Sequence, residues 1–134
     1  MHVIFVEPKF PFNQREFVRG LAGVGARVTG IGERPWEAID EELRGWMVGY
    51  EQVRSVVHEP SMLEAVRRVQ ATAWVDRMEA TVEAHILPAA KVRAAASEAG
   101  CESWTDFAEM LERSNLDAVV IATPMPLHVP QSIA

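Results

Sequence analysis

The chain has 134 residues, of which 49% are apolar and 24% charged, with 8 glycines and 8 prolines. This length and composition are typical of one globular domain and exclude a disordered chain, a collagen-like fibre and a disulfide scaffold. The net charge of −6 argues against a nucleic-acid-binding surface, and the single cysteine, Cys101, excludes an internal disulfide and a cysteine-rich zinc site.

Short apolar runs alternate with helical patterns along the chain. In order, the pattern predicts a strand at 2–6, a helix from 14 to near 23–25, a strand at 27–31, a helix at 36–47, a strand at 52–57, a helix at 61–70, a strand at 72–75, a helix at 81–99 and a strand at 118–122. A further helix, capped by Ser103 or Thr105, is predicted before the last strand. The strand at 118–122 reads Ala-Val-Val-Ile-Ala, which is typical of a strand buried on both faces.

Capping and breaking residues set the expected helix bounds. Asn13 and Ser61 are the predicted N-caps of the first and third helices. The first helix ends at a glycine-rich stretch, residues 23–25. Pro88 lies inside the long helical tract, where we expect a kink or a restart.

Alternation of apolar strands with helices predicts an α/β fold: a single Rossmann-like three-layer sandwich over residues 1–134. The expected sheet is mostly parallel, has about five strands and carries helices on both faces. Ligands of such sheets bind outside the carboxyl ends of the strands.

Four acidic residues at or near the predicted strand ends are the candidate substrate-binding residues: Glu7, Glu33, Asp76 and Glu79. Their carboxylates would accept hydrogen bonds from hydroxyl groups and repel phosphate, so we expect any nucleotide to bind weakly. Glu79 and Glu83 also have the i, i+4 spacing of one helix face, where a solvated face is favoured over acid–base chemistry.

Two other motifs favour structural roles. Gly30-Ile-Gly32 suggests a dinucleotide-binding turn, but the next position of that motif is Pro35, so turn glycines are favoured over a pyrophosphate site. The four histidines lack metal-ligand spacing, and no metal or catalytic residue is predicted.

Residues 1–91 contain Phe5-Val-Glu-Pro-Lys-Phe-Pro, Val28-Thr-Gly-Ile-Gly-Glu-Arg-Pro-Trp and Val75-Asp-Arg-Met-Glu. In these motifs the segment resembles the pre-ATP-grasp domain, the Rossmann-like unit that precedes the ATP-clamping lobes of ATP-grasp ligases. The resemblance implies a domain that lies outside the ATP clamp.

Residues 92–134 contain Trp104-Thr-Asp-Phe-Ala-Glu-Met-Leu and Leu116-Asp-Ala-Val-Val-Ile-Ala-Thr-Pro, followed by Leu127-His. This segment resembles part of the NAD(P)-binding domain of the Gfo/Idh/MocA oxidoreductases. The resemblance implies that Thr123, Pro124 and His128 lie near a bound cofactor. The family's opening Gly-rich turn and catalytic Lys motif have no counterpart in the sequence.

Together the two resemblances predict a chimera with its seam between Lys91 and Ala96. We expect a non-catalytic Rossmann-like fusion that binds no cofactor tightly, with NAD(P) or ATP held weakly. Two alternatives stay open: a small-molecule or nucleotide-binding module, and an enzyme fragment that acts with a partner chain.

The sequence also carries expectations about location and assembly. The start of the chain lacks the features of a signal peptide, and no apolar run reaches the length of a membrane span. We therefore expect a cytoplasmic protein without membrane or nucleic-acid partners. A homodimer is the expected assembly if apolar surface near residues 129–134 is left open.

Overall fold

A computed structural model describes residues 1–97. Its elements, in chain order, are β1 (His2–Val6), α1 (Gln14–Gly23), β2 (Arg27–Gly32), a 3-10 turn (Trp36–Ala38), α2 (Glu41–Gly45), β3 (Gly49–Gln52), α3 (Glu59–Gln70), β4 (Arg77–Glu79) and α4 (Glu83–Ser97). Within this part of the chain no helix is both long and apolar enough to cross a membrane.

The four strands form one parallel sheet in the order β3-β2-β1-β4. In the register of the sheet, Val3 of β1 pairs with Val28 on one side and Arg77 on the other. The order along the sheet reverses direction at β1, the arrangement that creates a ligand-binding crevice in doubly wound folds. The predicted Rossmann-like α/β fold is confirmed, with four strands in the described residues; the strand predicted at 118–122 lies outside them.

Alternating side chains of β1 supply the two apolar layers that enclose the sheet. Ile4 and Val6 pack in one core cluster with residues of α3 and α4, such as Met62 and Val92. Phe5 points to the opposite face and joins residues of α1 and α2 in a second cluster. Helices therefore cover both faces, which explains why all five residues of β1 are buried.

The predicted strands at 52–57 and 72–75 are wrong in position. The third strand ends at Gln52, and Val53 and Val56 fill the core from the loop that follows. The apolar run therefore reflects burial without strand pairing. In the second case, the N–H groups of Thr72 and Ala73 bond to the carbonyl of Val69 and extend the turn at the end of α3, so pairing begins only at Arg77.

Two predicted helices, the one from residue 14 and the one at 61–70, are confirmed with shifted ends. The helix predicted at 81–99 begins at Glu83, and its predicted end lies outside the described residues, as does the helix predicted after Ser103 or Thr105. Gly25, with φ of 81°, follows α1 in the left-handed conformation that glycine adopts readily. Asn13 occupies the predicted N-cap position of α1 without a side-chain cap bond. The predicted N-cap Ser61 is wrong: His58 is the N-cap of α3, and Ser61 lies in the first turn, where its hydroxyl donates to the His58 carbonyl. Helix α4 continues through Pro88.

The predicted single helix at 36–47 is wrong: it divides into the 3-10 turn and α2. Between them the Asp40 carboxylate accepts the N–H of Leu43 and caps α2. A polar N-cap starts a new helix at this point, so the segment does not run as one.

Candidate functional site

A cavity of about 320 Å³ opens at the carboxyl ends of β1 and β2. Its lining residues are Glu7, Phe10, Glu33, Arg34, Val56 and His85. They come from the loops after β1, β2 and β3 and from the first turn of α4. The cavity therefore lies at the edge of the sheet where parallel α/β folds bind ligands.

Glu7 follows the last residue of β1 and is 6% exposed. Its N–H donates to the carbonyl of Ile31 at 2.7 Å, and its carboxylate accepts the N–H of Glu33 at 2.6 Å. Its φ of 52° lies in the left-handed region, which is uncommon for a residue with a side chain. Burial, and to a smaller extent the nearby Glu33 charge, raise the pKa of Glu7. The hydrogen bond from the Glu33 N–H and the charge of Arg34 lower it by less, so the pKa is raised overall.

Glu33 follows β2 directly and lies at the exposed mouth of the cavity. Its Oε1 accepts the N–H of Val56 at 3.0 Å, which ties the loop after β3 to the end of β2. The side-chain amide of Gln52 also donates to the Glu33 carbonyl. These bonds fix the backbone around an exposed carboxylate.

Tyr50 of β3 covers the glycines of β2 next to the cavity. A Cβ atom on Gly30 would lie 2.8 Å from the Tyr50 ring, and one on Gly32 would lie 2.6 Å from its hydroxyl. The Tyr50 hydroxyl donates to the Arg34 carbonyl at 2.7 Å. The expectation of turn glycines at 30 and 32 is wrong, because both lie within β2 and make room for this ring.

His85 lies in the first turn of α4 and lines the cavity. Its Nδ1 is buried and has no hydrogen-bond partner within residues 1–97. Burial lowers the pKa of His85, and the Glu33 carboxylate raises it by less. Burial therefore favours the neutral ring, which has one donor and one acceptor nitrogen.

The structure brings two of the four predicted substrate-binding residues together. Glu7 and Glu33 line one cavity. Asp76 is wrongly assigned to this edge: β4 begins after it, so Asp76 lies at the amino ends of the strands, where it accepts the backbone N–H of His2 at 2.6 Å.

Glu79 ends β4 at the same edge of the sheet as Glu7 but does not line the cavity. The helix face predicted for Glu79 and Glu83 is also wrong, since one ends a strand and the other begins α4. The predicted cofactor-binding residues Thr123, Pro124 and His128 lie outside the described residues.

Four further residues line the cavity and were not predicted: Phe10, Arg34, Val56 and His85. Of these, His85 could have been expected, because it lies in the first turn of the helix after β4, and such helix starts lie at the ligand-binding edge of the sheet. That expectation depends on knowing that β4 lies beside β1.

A family model described as an oxidoreductase family with an NAD-binding Rossmann fold, Gfo/Idh/MocA, matches residues 43–134. The chain belongs to this family. The resemblance of the last segment to Gfo/Idh/MocA proteins is thereby confirmed, while the ATP-grasp resemblance of residues 1–91 stays a prediction. No curated protein matches the chain.

NAD-binding Rossmann domains hold the cofactor's pyrophosphate on backbone N–H groups of a glycine-rich turn after the first strand. In this chain the turn after the first strand reads Glu7-Pro-Lys-Phe-Pro-Phe-Asn and precedes the matched residues 43–134. Pro8 and Pro11 have no N–H group to offer. The buried Glu7 carboxylate would also repel a pyrophosphate. The described residues of this turn therefore do not fit the pyrophosphate of NAD(P).

Within residues 1–97, no group of three or more His, Cys, Asp or Glu side chains is arranged to hold a metal ion. The cavity instead presents two carboxylates, a guanidinium, an imidazole and two apolar side chains. Such a set can accept hydrogen bonds from an organic ligand and pack against its apolar part.

Proposed function

We propose that this Gfo/Idh/MocA-family chain is a non-catalytic small-molecule-binding domain. Its cavity takes an unphosphorylated ligand that donates hydrogen bonds. The observation that carries the proposal is the buried Glu7 carboxylate, which occupies the first strand–helix turn and is held there by the Glu33 N–H.

The chemistry of this turn supports a donor ligand over a phosphate. Carboxylates only accept hydrogen bonds when they are ionised, so hydroxyl and ammonium groups suit them. Two negative charges about 4 Å apart repel each other by several kcal/mol near a protein surface. The same repulsion, without compensating N–H donors, disfavours ATP and NAD(P).

The size and lining of the cavity fit a small organic molecule. A volume of about 320 Å³ lies at the lower end of the range for ligand pockets. Phe10 and Val56 provide apolar contacts. Glu33 follows the second strand, the position at which Rossmann domains carry an acidic residue that binds ribose hydroxyls. A nucleoside is therefore the first ligand to test.

The resemblance of residues 1–91 to a domain of ATP-grasp ligases supports the non-catalytic part of the proposal. Their resemblance to the pre-ATP-grasp domain supports a role outside phosphoryl transfer, because that domain precedes the lobes that clamp ATP. The family match begins at residue 43, so the two attributions overlap over residues 43–91. The fusion itself stays a prediction.

Calorimetric titration of the full chain tests the proposal with adenosine, AMP, NAD and ATP–Mg. We expect adenosine to bind more tightly than the three phosphorylated compounds, and no turnover of ATP or NAD. Glu33→Gln should weaken the adenosine complex, whereas Glu64→Gln, on the exposed face of α3, should not. Tighter binding of NAD than of adenosine would overturn the proposal.

A further inference from the structure

The cavity holds more negative charge than its own groups neutralise. None of the ion pairs within residues 1–97 includes Glu7 or Glu33. Arg34 also lines the cavity and its charge acts on Glu7, but it forms no ion pair with either carboxylate in this part of the chain. One guanidinium therefore stands against two carboxylates, and burial disfavours the charged form of His85.

The two carboxylates differ in depth. Glu33 is exposed at the mouth, while Glu7 is 6% exposed and accepts one hydrogen bond, from the Glu33 N–H, within the described residues. A buried carboxylate with so little compensation is costly in free energy. A ligand that brings positive charge to Glu7 would recover part of that cost.

Two carboxylates from two parts of the fold, those of Glu7 and Glu33, line the cavity. A primary ammonium has three N–H donors and one positive charge, so it can donate to both carboxylates and offset their excess charge. A hydroxyl group has a single donor and no charge.

We propose that the cavity selects a protonated primary amine, with its ammonium held between Glu7 and Glu33 and its apolar body against Phe10 and Val56. This inference rests on the proposed small-molecule-binding function and narrows its ligand class.

Benzylamine, benzyl alcohol and benzoate have similar shapes but carry a positive charge, no charge and a negative charge. Comparing them separates the effect of charge on binding from that of shape. Each is titrated into the full chain at pH 7, and NMR follows the Val56 methyl groups and the His85 ring. We expect benzylamine to bind at least tenfold more tightly than benzyl alcohol, and benzoate not to bind. Raising the salt concentration should weaken only the amine complex.

Variants locate the preference within the cavity. Glu33→Gln changes an exposed residue at the mouth, and Glu7→Gln keeps an oxygen that can accept the Glu33 N–H, so both variants should fold. Each should lose the tenfold preference for benzylamine over benzyl alcohol. Glu64→Gln, the control outside the cavity, should keep it. If Glu7→Gln does not fold, Glu33→Gln alone decides. Equal binding of the amine and the alcohol, or no binding of either, overturns the inference, and the adenosine titration decides the proposed function separately.

Discussion

The N–H of Glu33 donates a 2.6 Å hydrogen bond to the carboxylate of Glu7, joining the carboxyl ends of two neighbouring parallel strands. The N–H of Glu7 returns a bond to the carbonyl of Ile31. The two bonds hold Glu7 at a positive φ with its side chain turned toward β2. The carboxylate therefore belongs to the structure of the strand ends as well as to the cavity.

Gly32 lies between these two bonds, and its replacement should damage the site. In Gly32→Ala the new Cβ would lie 2.6 Å from the Tyr50 hydroxyl and 3.1 Å from Oε1 of Glu7. Tyr50 must move and lose its bond to the Arg34 carbonyl. We expect a loss of about 1–3 kcal/mol in the free energy of unfolding, measured by urea denaturation.

Gly20→Ala is the matched control for this prediction. A Cβ at Gly20 meets nothing within 4 Å, and the residue lies inside α1. Alanine should stabilise the helix there by up to about 1 kcal/mol. If Gly32→Ala proves as stable as Gly20→Ala, Tyr50 does not need the space that Gly32 provides.

The raised pKa of Glu7 predicts a pH dependence of stability. Burial disfavours the ionised form in the folded state, so folding raises the pKa above its ordinary value of 4.5. The stability contributed by the protonated carboxyl is fully present below pH 4.5 and is lost as the pH rises through the folded pKa.

Glu7→Gln isolates this effect from the other carboxylates. The amide does not titrate, so the stability of wild type minus that of Glu7→Gln should fall as the pH rises from 4.5. It should level off once Glu7 is ionised in the folded protein. Chemical denaturation at a series of pH values measures the difference, and a flat difference would show that Glu7 is not perturbed.

Much of the fold could be predicted because its strands and helices carry local signals. The continuous apolar run at residues 2–6 marks a strand buried on both faces, and the face of α1 around Val18 marks a helix. The third strand was misplaced because Tyr50 packs on the glycines of β2, a contact that no local pattern shows.

Part of the site could be predicted because its residues follow strands with clear local patterns. Glu7 and Glu33 come directly after β1 and β2, so parallel topology alone places them near each other at the carboxyl ends of the strands. Asp76 was placed at the wrong edge because a shift of a few residues in β4 moves it from the carboxyl to the amino end of the strand. His85 depended on the order of the strands.

Asp40 should stabilise the start of α2 through two separable contacts. Its Oδ1 accepts the N–H of Leu43, and its carboxylate pairs with Arg15, whose guanidinium also lies over the Phe12 and Trp46 rings. Desolvation is the largest single effect and raises the pKa of Asp40, but the Leu43 N–H and the Arg15 guanidinium together outweigh it and lower the pKa overall.

Two substitutions separate these contacts. Asp40→Ala removes both and should cost about 1 kcal/mol or more in the free energy of unfolding, whereas Asp40→Asn keeps the cap and should cost less. Because the folded pKa is lowered, the stabilisation by wild-type Asp40 is present above its ordinary value of 3.8 and is lost as the pH falls through the folded pKa. Urea denaturation at pH 7 and pH 3 compares the variants; equal stability of Ala and Asn would remove the cap from the explanation.

His2 and Thr29 form a buried polar pair at the amino end of the sheet. Nδ1 of His2 lies 2.9 Å from the carbonyl of Trp74, which can only accept, so Nδ1 carries a hydrogen; Nε2 lies 2.8 Å from the Thr29 hydroxyl, which can either donate or accept. Both residues are only 5% exposed. Replacing either one by an apolar residue therefore leaves a polar atom of the other buried without this hydrogen bond.

A double-mutant cycle measures this dependence. His2→Leu and Thr29→Val should each cost about 1–3 kcal/mol in the free energy of unfolding, since each strands a buried polar atom. The double variant removes both polar atoms of the pair, so its cost should be smaller than the sum of the single costs by about 0.5–3 kcal/mol. Urea denaturation of the four proteins gives this coupling energy. Strictly additive costs would mean that the two side chains stabilise the sheet independently, by packing alone.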